Sequence, residues 1–143
     1  TDPRMTRFWI TLNQGVDFVL SSLSMMHGGE IFVPKIPSMK MTDLAAAMAP
    51  GLGIKLVGIR PGEKLHEMMI SADDTRSTVD LGDRYAIEPA FVEYTREPLA
   101  GGRLPEEFSY ASDTNDEWLS GEGLMALLDD GAAAAPRRRR ATD

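Results

Sequence analysis

Two short stretches carry the side chains best suited to chemistry, and in both that chemistry is the capture of an anion. The first is Arg4-Met5-Thr6-Arg7, just ahead of a helix start signalled by Thr11. A helix N-terminus presents unpaired N–H groups and partial positive charge, so arginines beside one can form an anion site. By spacing alone, Arg4 and Arg7 also read as ordinary surface arginines in ion pairs. The second stretch is Gly58-Ile59-Arg60-Pro61-Gly62-Glu63-Lys64-Leu65-His66-Glu67. Its pattern predicts a strand end, a rigid turn and a helix start. That would present Arg60 at the carboxyl end of a strand, where open α/β sheets bind ligands. A guanidinium can fork onto two phosphate oxygens. Glu63 would either accept hydrogen bonds from ligand hydroxyls or hold Arg60 in place. The plainer alternative is a charged turn with Glu63 and Glu67 in solvent.

Several familiar chemistries are missing. Gly51-Leu52-Gly53 is the nearest approach to a dinucleotide loop, but Leu56 stands at the third glycine and the segment follows a helix instead of opening one. Gly62-Glu63-Lys64-Leu65 lacks the Gly-Lys-Ser/Thr of a P-loop. No tyrosine has a lysine four residues later: Tyr85 is followed by Pro89, Tyr94 by Pro98 and Tyr110 by Thr114. His27 and His66 lack metal-ligand spacing, and the chain has no cysteine. The sequence therefore offers no catalytic set, no cofactor loop and no metal site.

The elements that must position Arg7, Arg60 and Glu63 alternate between helix and strand, which makes the class α/β. Thr11 and Gln14 form a capping box, and Leu12, Val16, Val19, Leu23 and Met26 follow at helical spacing up to His27-Gly28-Gly29. Glu30 to Val33 reads as a strand closed by Pro34. Thr42 is expected to cap a helix over Leu44 to Ala49 that Pro50 and Gly51 stop. Ile54 to Ile59 is expected as a strand and Glu63 to Met69 as a helix. Residues 71–83 read as irregular, and Arg84 to Glu88, Phe91 to Tyr94 and Phe108 to Ala111 as short strands around a Gly/Pro loop at 95–107. Ser120 caps a last helix carrying Leu124, Leu127 and Leu128, although Gly121 and Gly123 weaken it. The nine methionines read as core filling. Residues 1–128 form the folded part, and the Ala/Arg-rich residues 129–143 are expected to be disordered.

Charge and composition narrow the partners. The chain carries 15 basic and 22 acidic residues, a net charge of -7. Arg137 to Arg140 and Asp143 lie at the far end, so residues 1–136, with 11 basic and 21 acidic residues, carry -10. Such a body repels a phosphate backbone, which argues against nucleic acid, whereas a small phosphorylated ligand needs only two or three aimed cations. No apolar run approaches the ~20 residues that span a bilayer. Asp2, Arg4 and Arg7 are unlike the start of a secretory signal, so the cytoplasm is the expected compartment. The chain opens on Thr1, which reads as a piece of something longer.

Long words of the sequence carry a family resemblance. They are Thr1 to Thr11 (TDPRMTRFWIT), His27 to Lys40 (HGGEIFVPKIPSMK), Gly58 to Glu67, and Ser112 to Leu119 (SDTNDEWL). Over residues 1–128 the chain resembles the inverting UDP-N-acetylglucosamine 4,6-dehydratases, extended short-chain dehydrogenase/reductases of polysaccharide and flagellin-sugar biosynthesis. The resemblance implies a carboxy-terminal part of that fold: the edge of a Rossmann layer, holding the first helix and the strand at Glu30, plus a small substrate-binding lobe. It implies UDP-N-acetylglucosamine as ligand, with Arg7 on the substrate and with Arg60 and Glu63 contacting the nucleotide sugar. Arg7 and Arg60 would then converge on one pyrophosphate. NADP is implied for the complete family enzyme and not for this chain, because the family's cofactor loop and catalytic residues lie upstream. The chain alone would be inactive and would expose apolar surface. That surface suits self-association, including a homo-oligomer, or docking onto a complementary amino-terminal Rossmann chain. The competing readings are a non-enzymatic nucleotide-sugar binding module and an acidic interaction domain.

Overall fold

The computed structural model describes residues 2–91 and 97–134. The chain enters through strand β1 (Thr6–Phe8), then helix α1 (Leu12–Met25), strands β2 (Ile31–Pro34) and β3 (Ser38–Lys40), and helix α2 (Met41–Met48). After a long exposed connection come β4 (Met68–Ile70), a 3-10 turn (Thr75–Ser77), β5 (Thr78–Asp80) and β6 (Arg84–Ile87). The chain then continues through β7 (Gly102–Arg103) and β8 (Tyr110–Ala111) to helix α3 (Gly121–Ala134). The class is α/β, as expected.

Three small antiparallel sheets share one core. β1 pairs with β3, β4 with β8, and a four-stranded sheet runs β2-β6-β5-β7. The two-stranded sheets are too small to stand alone, so they bury their faces against the four-stranded one. Val33 of β2, Ile70 of β4, Tyr85 of β6 and Tyr110 of β8 form the centre, with Phe8, Met69, Ile87, Leu104 and Phe108 packed around it. The rings of Phe8 and Tyr110 lie 4.8 Å apart, and Tyr85 is 5.3 Å from both Tyr110 and Phe108. These are the tilted contacts that aromatic quadrupoles favour.

The helices sit outside this core. α1 starts on the expected capping box: Thr11 Oγ1 accepts from the Gln14 N–H at 3.2 Å, and Gln14 Oε1 accepts from the Thr11 N–H at 3.0 Å. Its inner side is held by the buried Arg84, which donates to Ser22 Oγ at 2.8 Å and lies 4.8 Å from the Phe18 ring centre. Its outer side, Leu12, Val16, Val19, Leu20 and Leu23, is open, with Leu12 83% exposed. Ser120 caps α3 by accepting from the Gly123 N–H at 3.0 Å. α2 packs on α3, and a Cβ at Gly121 would lie 3.3 Å from Ala47 Cβ, so this glycine permits the close approach.

Several expectations are corrected. The strand at Glu30 forms as β2, pairs antiparallel with β6 and ends its sheet, with no strand on its other side among the described residues. Thr42 is not a cap, because the Met41 N–H is taken by Met5 O at 3.0 Å and the helix begins there. Ile54 to Ile59 makes no strand, since no other strand among the described residues lies beside it; Ile54, Leu56, Val57 and Ile59 are exposed. Glu63 to Met69 makes no helix, because its backbone is claimed by β1 and β8 as set out below, and Met68 to Ile70 becomes β4. α3 runs past Leu128 to Ala134. Most of the strand expected over Phe91 to Tyr94, and the Arg-rich end of the tail, lie outside the described residues.

Candidate functional site

Arg60, Pro61, Gly62 and Glu63 form one tight turn. The Glu63 N–H donates to Arg60 O at 3.0 Å, and Gly62 has φ of 82°. Pro followed by a positive-φ Gly is the chemistry of a type II turn. The Glu63 carboxylate accepts from the Arg60 N–H at 3.0 Å, so it closes the turn from its side chain as well. The Arg60 guanidinium is exposed and has no hydrogen-bond or ion-pair partner among the described residues. The turn therefore spans its own polar groups and leaves the fork of Arg60 available.

Arg7 is arranged differently. Its Nη1 donates to Thr6 O at 2.6 Å and Leu65 O at 3.2 Å, its Nη2 to Lys64 O at 2.8 Å, and its Nε lies 3.3 Å from Glu67 Oε1. Of the five N–H donors of a guanidinium, three go to backbone carbonyls, Nε faces Glu67 as an ion pair, and one Nη2 proton remains. Arg7 thus grips the base of the segment whose tip carries Arg60. Three concave spaces of about 420, 510 and 410 Å³ lie elsewhere and include neither arginine.

Behind Arg7 runs a polar network that the sequence did not reveal. Thr6 Oγ1 is 2.8 Å from His66 Nδ1 and 2.7 Å from Ser112 Oγ. Ser112 Oγ accepts from the Glu67 N–H at 2.9 Å, while the Ser112 N–H donates to Glu67 O at 2.8 Å. The Thr6 N–H donates to Leu65 O at 3.1 Å, and His66 Nε2 is 3.8 Å from Asp113 Oδ2. Buried polar groups need partners, and here each supplies the other's. Three of the sequence words quoted above meet at this point: Arg4 to Arg7, Leu65 to Glu67, and Ser112 to Asp113. Only tertiary contact joins them, so no local spacing could signal it.

A second junction fixes the Lys35 to Ser38 loop. Asn115 Nδ2 donates to Ile36 O at 2.9 Å, Ser38 Oγ at 3.0 Å and Glu117 O at 2.9 Å. The Tyr110 hydroxyl accepts from the Ile36 N–H at 2.9 Å and donates to Ile36 O at 3.0 Å. Burial pushes the Tyr110 and Tyr85 hydroxyls above their ordinary pKa, so both stay protonated as structural groups. Lys35 reaches Asp80 at 2.6 Å over the Tyr85 ring.

A family model described as "Polysaccharide biosynthesis protein" matches residues 1–89. The chain is 52% identical over 136 residues to a UDP-N-acetylglucosamine 4,6-dehydratase (inverting) of Campylobacter jejuni, covering 90% of this chain and 41% of that protein. It is 34% identical over 142 residues to a UDP-glucose 4-epimerase of Rickettsia canadensis, covering 96% of this chain and 36% of that protein. Among solved structures, Pen from Bacillus thuringiensis superposes with a TM-score of 0.72 at 27% identity, covering 91% of this chain and 38% of that one. The chain thus spans about two fifths of the length of the curated relatives it matches.

Proposed function

Because this chain belongs to the polysaccharide biosynthesis protein family, we propose that it is the part of a UDP-N-acetylglucosamine 4,6-dehydratase that holds the UDP-sugar. The observation carrying this reading is the Arg60 guanidinium, presented unpaired on a turn closed by Glu63. Such a fork suits a pyrophosphate. Relatives named for two different reactions, dehydration and epimerisation, both carry UDP in their names. A shared segment serving both is better explained by the common UDP than by either reaction.

In this reading Arg60 binds the diphosphate and Glu63 shapes the turn. Arg7 is a positioning residue that holds Lys64 and Leu65, with one N–H left for the ligand. The reaction oxidises C4 of the sugar, eliminates water across C5 and C6, and returns hydride at C6 with inversion at C5. The hydride carrier, NADP in this proposal, supplies the redox chemistry. This chain's glycines do not fit it: Gly51 sits at φ of 84° in an exposed turn that follows α2, and no helix opens from it to meet a phosphate. What the chain contributes is grip remote from the reacting carbons, which orients the sugar when the rest of the protein supplies the chemistry. We place this work in the cytoplasm, the compartment expected for a water-soluble nucleotide sugar. Among the described residues no helix is long and apolar enough to cross a membrane.

The test is a chimera in which this chain replaces the matching two fifths of the Campylobacter jejuni relative. Turnover of UDP-N-acetylglucosamine with NADP is expected from the chimera and not from this chain alone. A folded chimera that binds the nucleotide sugar without turnover would favour a non-enzymatic binding module, and turnover by this chain alone would overturn the division of labour.

A further inference from the structure

A concave space of about 420 Å³ beside the 3-10 turn plays no part in the site above. Thr75, Arg76, Thr78, Arg103, Leu104 and Glu106 line it. Arg76 comes from the turn itself and Arg103 from β7, which pairs with β5 through Val79 and Arg103. Both arginines are exposed, and neither has a hydrogen-bond or ion-pair partner among the described residues. Arg4, Arg7, Lys35 and Arg84, by contrast, are each ion-paired. Glu106 shares the wall without forming an ion pair with either arginine. Beyond about 8 Å, physiological salt screens the acidic body. The charges that count are therefore local: the two arginines and Glu106 on the wall, with Asp73 and Glu107 flanking them and the Asp74 carboxylate held by Ser71.

The floor has a different character. Thr75 and Thr78 are buried, each 3% exposed. Thr75 Oγ1 donates to Phe108 O at 2.6 Å, with Ser71 O also in range at 3.2 Å, and Thr78 Oγ1 donates to Asp74 O at 2.8 Å. A hydroxyl has one proton, so both present only lone pairs to the cavity. Acceptors repel a bare anion and welcome a ligand's hydroxyl groups. Leu104 adds an apolar surface, and the volume falls within the range of small-ligand sites.

We propose that this cavity binds a phosphorylated sugar, with the phosphate on Arg76 and Arg103, the hydroxyls on Thr75, Thr78 and Glu106, and the ring against Leu104. It does not depend on the role of Arg60. The experiment titrates the 143-residue chain with glucose 1-phosphate, inorganic phosphate or glucose while amide resonances are followed by NMR. Glucose 1-phosphate is expected to shift the amides of residues 75–78 and 102–106. Arg76→Gln and Arg103→Gln should each weaken it at least tenfold, and Arg60→Ala should not. Inorganic phosphate should bind at least threefold more weakly, and glucose alone should not register. Unchanged dispersion at Val79 and Tyr85 checks that the variants remain folded. The proposal is overturned if glucose 1-phosphate leaves these amides unmoved, if binding survives both substitutions, or if inorganic phosphate binds equally well.

Discussion

The Arg7 guanidinium directs most of its donors at the carbonyls of Thr6, Lys64 and Leu65, while that of Arg60 meets solvent. Residue type alone made them equivalent, and the difference lies in which carbonyls the fold brings near. Arg7→Ala would leave three carbonyls and Glu67 without these partners. It should lower stability by about 2–3 kcal/mol in urea unfolding, whereas Arg60→Ala should stay within about 0.5 kcal/mol of the parent. Asp80 supplies a pH prediction. Burial raises its pKa, but hydrogen bonds from Lys35 and the Gly82 N–H, with the Lys35 charge, outweigh this and leave it below its ordinary 3.8. A carboxylate lowered in the folded state contributes stability that is present above its unfolded value and lost as pH falls through the folded one. Asp80→Asn should therefore cost about 1 kcal/mol or less at pH 5–7 for this part-exposed pair. The gap between parent and variant melting curves should close below about pH 4. A gap that widens in acid would contradict this sign.

Elements whose causes are local were legible in the sequence. The capping box at Thr11, the strand near Glu30 and the Ser120 cap each follow from a few neighbouring residues. Ile54 to Ile59 has the composition of a strand but no partner to pair with among the described residues, and a strand exists only as part of a ladder. Leu65 to Met69 has helical spacing, yet Leu65 and Glu67 bond β1 and Ser112 through their backbones, and that tertiary ladder wins. The candidate site was half legible. The turn chemistry of Arg60 to Glu63 was readable, while the Thr6, His66 and Ser112 network joins distant positions. Edge strand β7 gives a test at this scale. A Cβ at Gly101 would lie 2.7 Å from Asp80 O, which is backbone and cannot swing aside. Gly101→Ala should cost about 1–3 kcal/mol and speed hydrogen exchange across β5 and β7. Unchanged exchange there would show that the edge tolerates the methyl.

At the scale of the molecule, the outer side of α1 has no counterpart among the described residues. Leu12, Val16, Val19, Leu20 and Leu23 are all at least 49% exposed, on a helix whose other side is anchored by Arg84. Beside it, the Trp9 indole Nε1 is buried without an acceptor among the described residues. A contiguous apolar face of this kind drives association. Sedimentation velocity should show concentration-dependent self-association that Val19→Gln with Leu20→Gln reduces, with little change in thermal stability. A parent chain that stays monomeric at high concentration would remove this expectation.

In the proposed reading, Arg60 holds the diphosphate of the nucleotide sugar. The most direct measurement is calorimetric titration of UDP into the Campylobacter chimera, with Arg60 intact and as Arg60→Ala. Binding should weaken at least tenfold on substitution, about 1.4 kcal/mol, with the melting curve unchanged. Equal affinity in the two proteins would contradict it.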